Sequence, residues 1–254
     1  CWFNGNQDDC TAQEIKLRHS FLKLDPTRDY APQVWTGKDQ ERFGFFDVER
    51  RTYNRQYGVT DSGKVRMARR FNLWVDHHVR NADGSFELDA DGNKVVKPEQ
   101  ERTARQLTYW ANPSYPAELQ DAGAEIVKGW SLAFWNVVDH YNQVAGGGMQ
   151  IQLKAGQKVA LGSNDETPMI LWCGQNPTVA ASPAGCIADA GGVGKLVREG
   201  DLRFNMIAWV DKPQRGGPLG YGPMPADPET GETIHASAFI YGAGLDTYSS
   251  WSRD

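Results

Sequence analysis

A chain of 254 residues, 40% hydrophobic and 11% aromatic, is long and apolar enough to bury a core as one large domain or two small ones, which excludes a disordered tail. A formal net charge of -5 without a clustered basic stripe argues against nucleic acid as a partner. No apolar run approaches the ~20 residues that span a bilayer, so no transmembrane segment is expected.

The 4 cysteines form two local pairs, Cys1 with Cys10 and Cys173 with Cys186, each inside a loop of turn-forming residues. Neither pair has Cys-x-x-Cys spacing or a neighbouring His pair, so loop-closing disulfides of an oxidising compartment are expected in preference to zinc sites. A chain opening on Cys also matches the mature end of a bacterial lipoprotein, whose acylated Cys1 would leave Cys10 without its partner. The two readings of Cys1 compete.

Along residues 11–24, Ile15, Leu17, His19 and Phe21 alternate with Lys16, Arg18 and Ser20, the pattern of an amphipathic strand with His19 on its apolar side as a semi-buried residue. Residues 41–74 interleave Phe, Tyr and Trp with Arg, and nearby acids such as Asp47 and Glu49 nearly balance the charge, so paired surface arginines are expected rather than a nucleic-acid platform. Within 80–97, two Asp-Gly turns flank short apolar segments, which reads as a projecting β-hairpin. The spacing of Asp89, Asp91 and Asn93 differs from a calcium loop, leaving a plain turn. His77 and His78 are adjacent, so on a strand they face opposite ways and do not close on one metal.

From Arg105 the periodicity sharpens. QLTYWAN reads as a strand, Pro116 as a helix start capped by Ser114 or Tyr115, and Leu119, Ala122, Ile126, Trp130, Ala133 or Phe134, Val137 and Tyr141 as one stripe of a helix of about seven turns. By that phase Trp130 and Phe134 belong in the core. Gly146–Gly148 ends the helix and MQIQLK forms the next strand, giving a βαβ crossover. Residues 155–200, rich in Gly, Ala, Asn and Pro and holding the second cysteine pair, read as a long ordered excursion rather than a sheet element. Its AGGVGKLV lacks the glycine placement and the Ser/Thr of a phosphate loop.

The closing fifty residues read as a strand in LRFNMIAWV, a Gly- and Pro-rich turn region, a strand in TIHASAFIYG and the opening of a helix. Ile234, Ala236, Ala238 and Ile240 fall on one face of the last strand, with His235, Ser237, Phe239 and Tyr241 on the other. The expected fold class is α+β: a mixed β-sheet with a long backing helix over 104–254, containing the disulfide loop 155–200 and preceded by a β-rich region over 1–103.

Three blocks resemble the large secreted bacterial zinc metalloproteases of zincin type: RFGFFDVERRTYNRQYGVT, LTYWANPSYPAELQDAGAEIVKGWSLAFW, and GYGP…ADPETGE followed by a strand of small residues. The resemblance spans about residues 11–254 and implies an ordered lead-in followed by the N-terminal subdomain of such an enzyme, ending before its His-Glu-x-x-His helix. That motif is absent, and His19, His77, His78, His140 and His235 lie on separate segments without i,i+4 spacing, so no catalytic or metal-ligating residue is assigned. Zinc is expected only with downstream sequence. The resemblance further implies that His235, Ala236, Ser237 and Ala238 belong to an edge strand pairing with extended peptide substrate, in an extracellular or cell-surface protein whose partner is the rest of its own polypeptide or a second chain bearing the zinc helix. The alternative is a cell-surface or matrix binding module on a catalytically dead scaffold.

Overall fold

The computed structural model describes residues 17–25, 27–44, 46–54, 56, 58–212 and 218–251. Cys1, Cys10 and the start of the expected first strand lie outside them. Residues 17–24 form no strand and are exposed, Phe21 at 93%. Alternation alone gives these residues no partner strand, and His19 is exposed rather than semi-buried.

A short helix α1 (Gly37–Phe43) leads into the antiparallel pair β1 (Asp47–Asn54) and β2 (Gly58–Ala68). Across this ribbon Glu49 takes Arg66 at 3.2 Å and Lys64 at 3.1 Å, as charge balance in the block implies. Beyond it, residues 78–96 make a three-way arrangement rather than a single hairpin. Val79 N–H donates to Val95 O, Val95 N–H to Glu87 O and Glu87 N–H to Val79 O, so three short segments close on one another. The Asp-Gly turns behave as read: Gly84 and Gly92 take positive φ, and Asp89 Oδ1 accepts from the Asp91 and Asn93 amides.

Next come β3 (Ala104–Arg105), β4 (Leu107–Ala111), helix α2 (Gln120–Val144) and β5 (Gln150–Gln152). Pro116 opens a 3₁₀ turn at Ala117–Leu119 that runs into α2, and Gly146, at φ 79°, follows its end. The strand after the helix does not join the main sheet. β5 pairs parallel with β3 and antiparallel with β6 (Lys158–Ala160), a separate three-stranded sheet. One main-sheet partner of β4 is β7 (Ile170–Cys173), inside the segment read as a loop, so the excursion does supply a sheet strand. β7 is only 4 residues long and surrounded by turn residues, which conceals it from a composition reading.

After helix α3 (Ala184–Ala190) come β8 (Asn205–Val210), β9 (Gly220–Tyr221), β10 (Ser237–Tyr241) and helix α4 (Gly242–Trp251). The five-stranded sheet runs β7-β4-β8-β10-β9, with four parallel strands and β9 antiparallel at one edge. The fold is therefore α+β with a mixed sheet and a long helix.

Strand alternation sorts two cores. Ile170, Ile207, Ala238 and Ile240 face the α2 side, while Cys173, Met206, Ala208 and Phe239 face the side of α3. Cys173 and Cys186 are bonded, with Cα atoms 5.7 Å apart, which fastens α3 to β7. That fixes Asp189 of α3 beneath β4, where it accepts from Thr108 Oγ1 at 2.6 Å, the fully buried Trp110 indole at 3.1 Å and Lys154 Nζ at 2.8 Å.

The phase of α2 differs from the stripe read in the sequence. Gly123, Val127, Ser131 and Val138 are its buried residues, while Trp130 is 62% exposed and Phe134 half-buried. Contact with the sheet is made by a seam of small residues one position further along the chain. A Cβ on Gly123 would lie 2.7 Å from Trp172 Cζ2, and Ser131 Oγ accepts the Ile170 N–H at 3.2 Å, so the helix sits close to β7. Hydrophobic periodicity finds large side chains; a close seam is built from small ones.

Contacts cross between the two expected regions. Arg28 pairs with Asp227 and, at 2.9 Å, with Glu232; Glu232 in turn accepts from Asn72 Nδ2 at 2.9 Å.

Candidate functional site

Phe134 and Tyr141 of the expected stripe pack against the core, Ile126, Trp130 and Val137 are exposed, and together they line two cavities. Ile126, Trp130 and Phe134 of α2 form one wall of the first, a volume of about 240 Å³. Its opposite wall is the sheet face at Tyr109, Ile207 and Ala238, and Gly222 and Met224 flank it. The lining is almost wholly apolar. Burial pushes the Tyr109 phenol up to about 12, so it is neutral at physiological pH. Phe71 and Phe134, with ring centroids 5.4 Å apart, separate this groove from a second cavity lined by Phe134, Val137 and Tyr141 further along the helix.

Ala236, Ser237 and Ala238 all border the first groove; His235 does not. Ala236 is buried, its N–H donating to Asn205 Oδ1 at 2.9 Å while its carbonyl accepts from Met206 N–H at 3.1 Å. On the other side, Ser237 N–H donates to Pro223 O and Tyr241 N–H to Leu219 O, each at 3.0 Å. The strand expected to be an edge therefore lies between β8 and the chain's own 219–223 segment, and no further strand adds to it. His235 Nδ1 lies 3.5 Å from Ser237 Oγ, and burial lowers its pKa.

Among the described residues, the outer strand on this side of the sheet is β9. Residues 219 and 223 turn their carbonyls towards β10, so by antiparallel alternation the backbone groups of Gly220 and Gly222 face away from it. Gly220 eases this close pairing, since a Cβ there would crowd Phe239 O at 3.1 Å. Tyr221 is 60% exposed. The expected edge strand is thus covered by one further strand, which the sequence conceals because the GYGP segment looks like loop.

Among the described residues, no three His, Cys, Asp or Glu side chains come together as a metal-binding group. His77 Nε2 lies 2.9 Å from Asn72 Oδ1 and His78 Nδ1 lies 2.6 Å from Asp29 Oδ1, so the adjacent histidines do turn to different partners. The described residues offer no ligand set that fits a catalytic zinc. No described helix is long and apolar enough to cross a membrane. Comparison with protein-family models, curated proteins and solved structures gives no match.

Proposed function

We infer that this chain is the non-catalytic N-terminal portion of an extracellular zinc-dependent endopeptidase, supplying the sheet, the backing helix and the strand edge on which extended substrate is held. The observation that carries this reading is the juxtaposition at one side of the sheet: an antiparallel edge strand, Gly220–Tyr221, with outward backbone groups, beside an apolar groove and ahead of a helix that leaves β10. An added strand gains affinity from main-chain hydrogen bonds and specificity from pockets for alternate side chains, and edge and groove together offer both. The Cys173–Cys186 bond agrees with an oxidising, extracellular setting. In this reading Ala236, Ser237 and Ala238 contribute to the groove wall, His235 is a neighbour, and the partner is the polypeptide bearing the zinc helix.

Backbone amide exchange tests the docking edge. Extended peptides should protect the Gly220 and Gly222 amides, and protection of Gly220 should weaken when Gly222, whose built Cβ has no contact closer than 3.8 Å, is replaced by Pro, which has no N–H. Protection elsewhere with these amides unchanged would favour the second reading, a surface or matrix binding module. The exposed Ile126 and Trp130 support that alternative, because such apolar faces also mark protein–protein contacts.

A further inference from the structure

The second cavity has a different character from the groove. Its volume is about 520 Å³, within the usual range for small-molecule sites, and Arg69, Arg70 and His77 enter a lining that includes Phe71, Trp74 and Tyr141. Arg69 Nε, Arg70 Nε, His77 Nδ1 and the Tyr30 hydroxyl, all of residues lining this cavity, are buried without a hydrogen-bond partner among the described residues. A buried polar atom left unpaired is expensive, and natural sites tolerate it chiefly where something else supplies the partner.

The chemistry of each atom is fixed by its surroundings. Asn72 donates through Nδ2 to Glu232 Oε1 at 2.9 Å and accepts the Trp74 N–H on Oδ1 at 3.0 Å. Its oxygen therefore faces His77, whose Nε2 must carry the proton in their 2.9 Å hydrogen bond. His77 Nδ1 is then a bare acceptor on a side chain only 2% exposed. Burial first, then the positive Arg102, hold this imidazole neutral, with its pKa lowered to about 3. The two arginines are permanently charged donors. Arg70 Nη2 donates to Ala31 O at 3.0 Å and its guanidinium lies over Tyr30; Arg69 lies over Phe46. Neither has a carboxylate partner among the described residues, and the cavity's own acid, Glu99, is engaged by Arg102 at 3.2 Å.

Two cationic donors, one neutral acceptor, the Tyr30 hydroxyl, which can serve as donor or acceptor, and aromatic walls specify a complementary molecule. The geometry points to a binding site for a small aromatic carboxylic acid that carries an N–H or O–H donor beside its carboxylate, the carboxylate taking Arg69 and Arg70, the donor meeting His77 Nδ1, and the ring lying among Phe71, Trp74 and Tyr141. A free ammonium beside two guanidiniums is disfavoured, so an acylated amino acid or a hydroxy acid fits better than a zwitterion. This inference stands apart from the peptide-edge reading: the two sites share only the dividing Phe71 and Phe134, its polar groups are different, and either survives failure of the other.

The test is calorimetric titration of the full chain with N-acetyl-L-phenylalanine and with its uncharged amide. The acid should bind at one site and the amide about tenfold or more weakly, the scale of losing a charge-assisted hydrogen bond. Arg69→Gln and Arg70→Gln should each reduce affinity for the acid by a similar factor while leaving the amide unchanged. If a variant fails to fold, wild-type protein decides: the ¹⁵N resonance of His77 Nδ1 should move upfield on saturation with the acid. Equal affinity for acid and amide, no binding at millimolar acid, or a His77 Nδ1 resonance that stays fixed at saturation overturns the assignment.

Discussion

Replacing glycine by alanine at two positions of the same helix should stabilise the protein at one and not at the other. Within α2, Gly129 has nothing within 4 Å of a built Cβ, so Gly129→Ala should add the ordinary helix-propensity gain of about 0.8–1 kcal/mol. Gly123 receives the same gain, but its Cβ would lie 2.7 Å from Trp172 Cζ2 and 2.9 Å from Tyr115 Oη. Both neighbours are rigid aromatic rings in contact with one another, their centroids 5.6 Å apart, so neither yields as the end of a flexible chain would. Overpacking of this kind costs roughly 1–3 kcal/mol, which cancels or exceeds the propensity gain. Gly123→Ala should therefore be neutral to about 2 kcal/mol destabilising, a contrast of about 1–3 kcal/mol between the variants. Urea unfolding with the disulfide intact measures both, and unchanged m-values certify that stability alone has moved. Equal stabilisation by the two substitutions would refute the small-residue seam and restore a helix packed on Trp130.

The same phase predicts that Trp130→Ala costs less than about 1 kcal/mol, while Trp110→Ala, at a fully buried position, costs roughly 3–5 kcal/mol in the same unfolding assay. Replacing both Cys173 and Cys186 with Ala removes a link of sequence separation 13 and should lower stability by about 3 kcal/mol; no loss would mean that α3 is held by its packing alone. His77 is neutral when folded, with its pKa lowered to about 3 from 6.5, so the unfolded chain binds more protons between those values. Its contribution is complete above pH 6.5 and shrinks as pH falls towards 3. His77→Gln should therefore lose less stability than wild type between pH 7 and pH 4; parallel curves would show that His77 protonates freely in the folded protein.

Local signals in the sequence carried the elements whose own residues determine them. The extent of α2 was legible from its Pro116 start and Gly146 end, and β8 and β10 from β-rich runs whose alternation does divide between two cores. The Cys173–Cys186 bond followed from spacing. What escaped depends on partners distant along the chain. A four-residue strand such as β7 is recognisable only once β4 lies beside it, and the face of α2 that meets the sheet is chosen by how near Gly123 and Ser131 let it approach. The aromatic cavity is more remote still. His77 is oriented by Asn72, Asn72 by Glu232, and Glu232 by Arg28, a relay joining both ends of the described chain that no window of sequence displays.

Zinc content and peptidase activity, measured on the 254-residue chain and on the polypeptide encoded when its reading frame is followed beyond Asp254, test the functional proposal most directly. The proposal predicts that the 254-residue chain holds no stoichiometric zinc and cleaves no peptide, whereas the longer polypeptide holds one zinc through a His-Glu-x-x-His helix and cleaves extended peptides, both lost on His→Ala substitution in that motif. A reading frame without such a helix, or tight zinc and cleavage by the 254-residue chain itself, would contradict it.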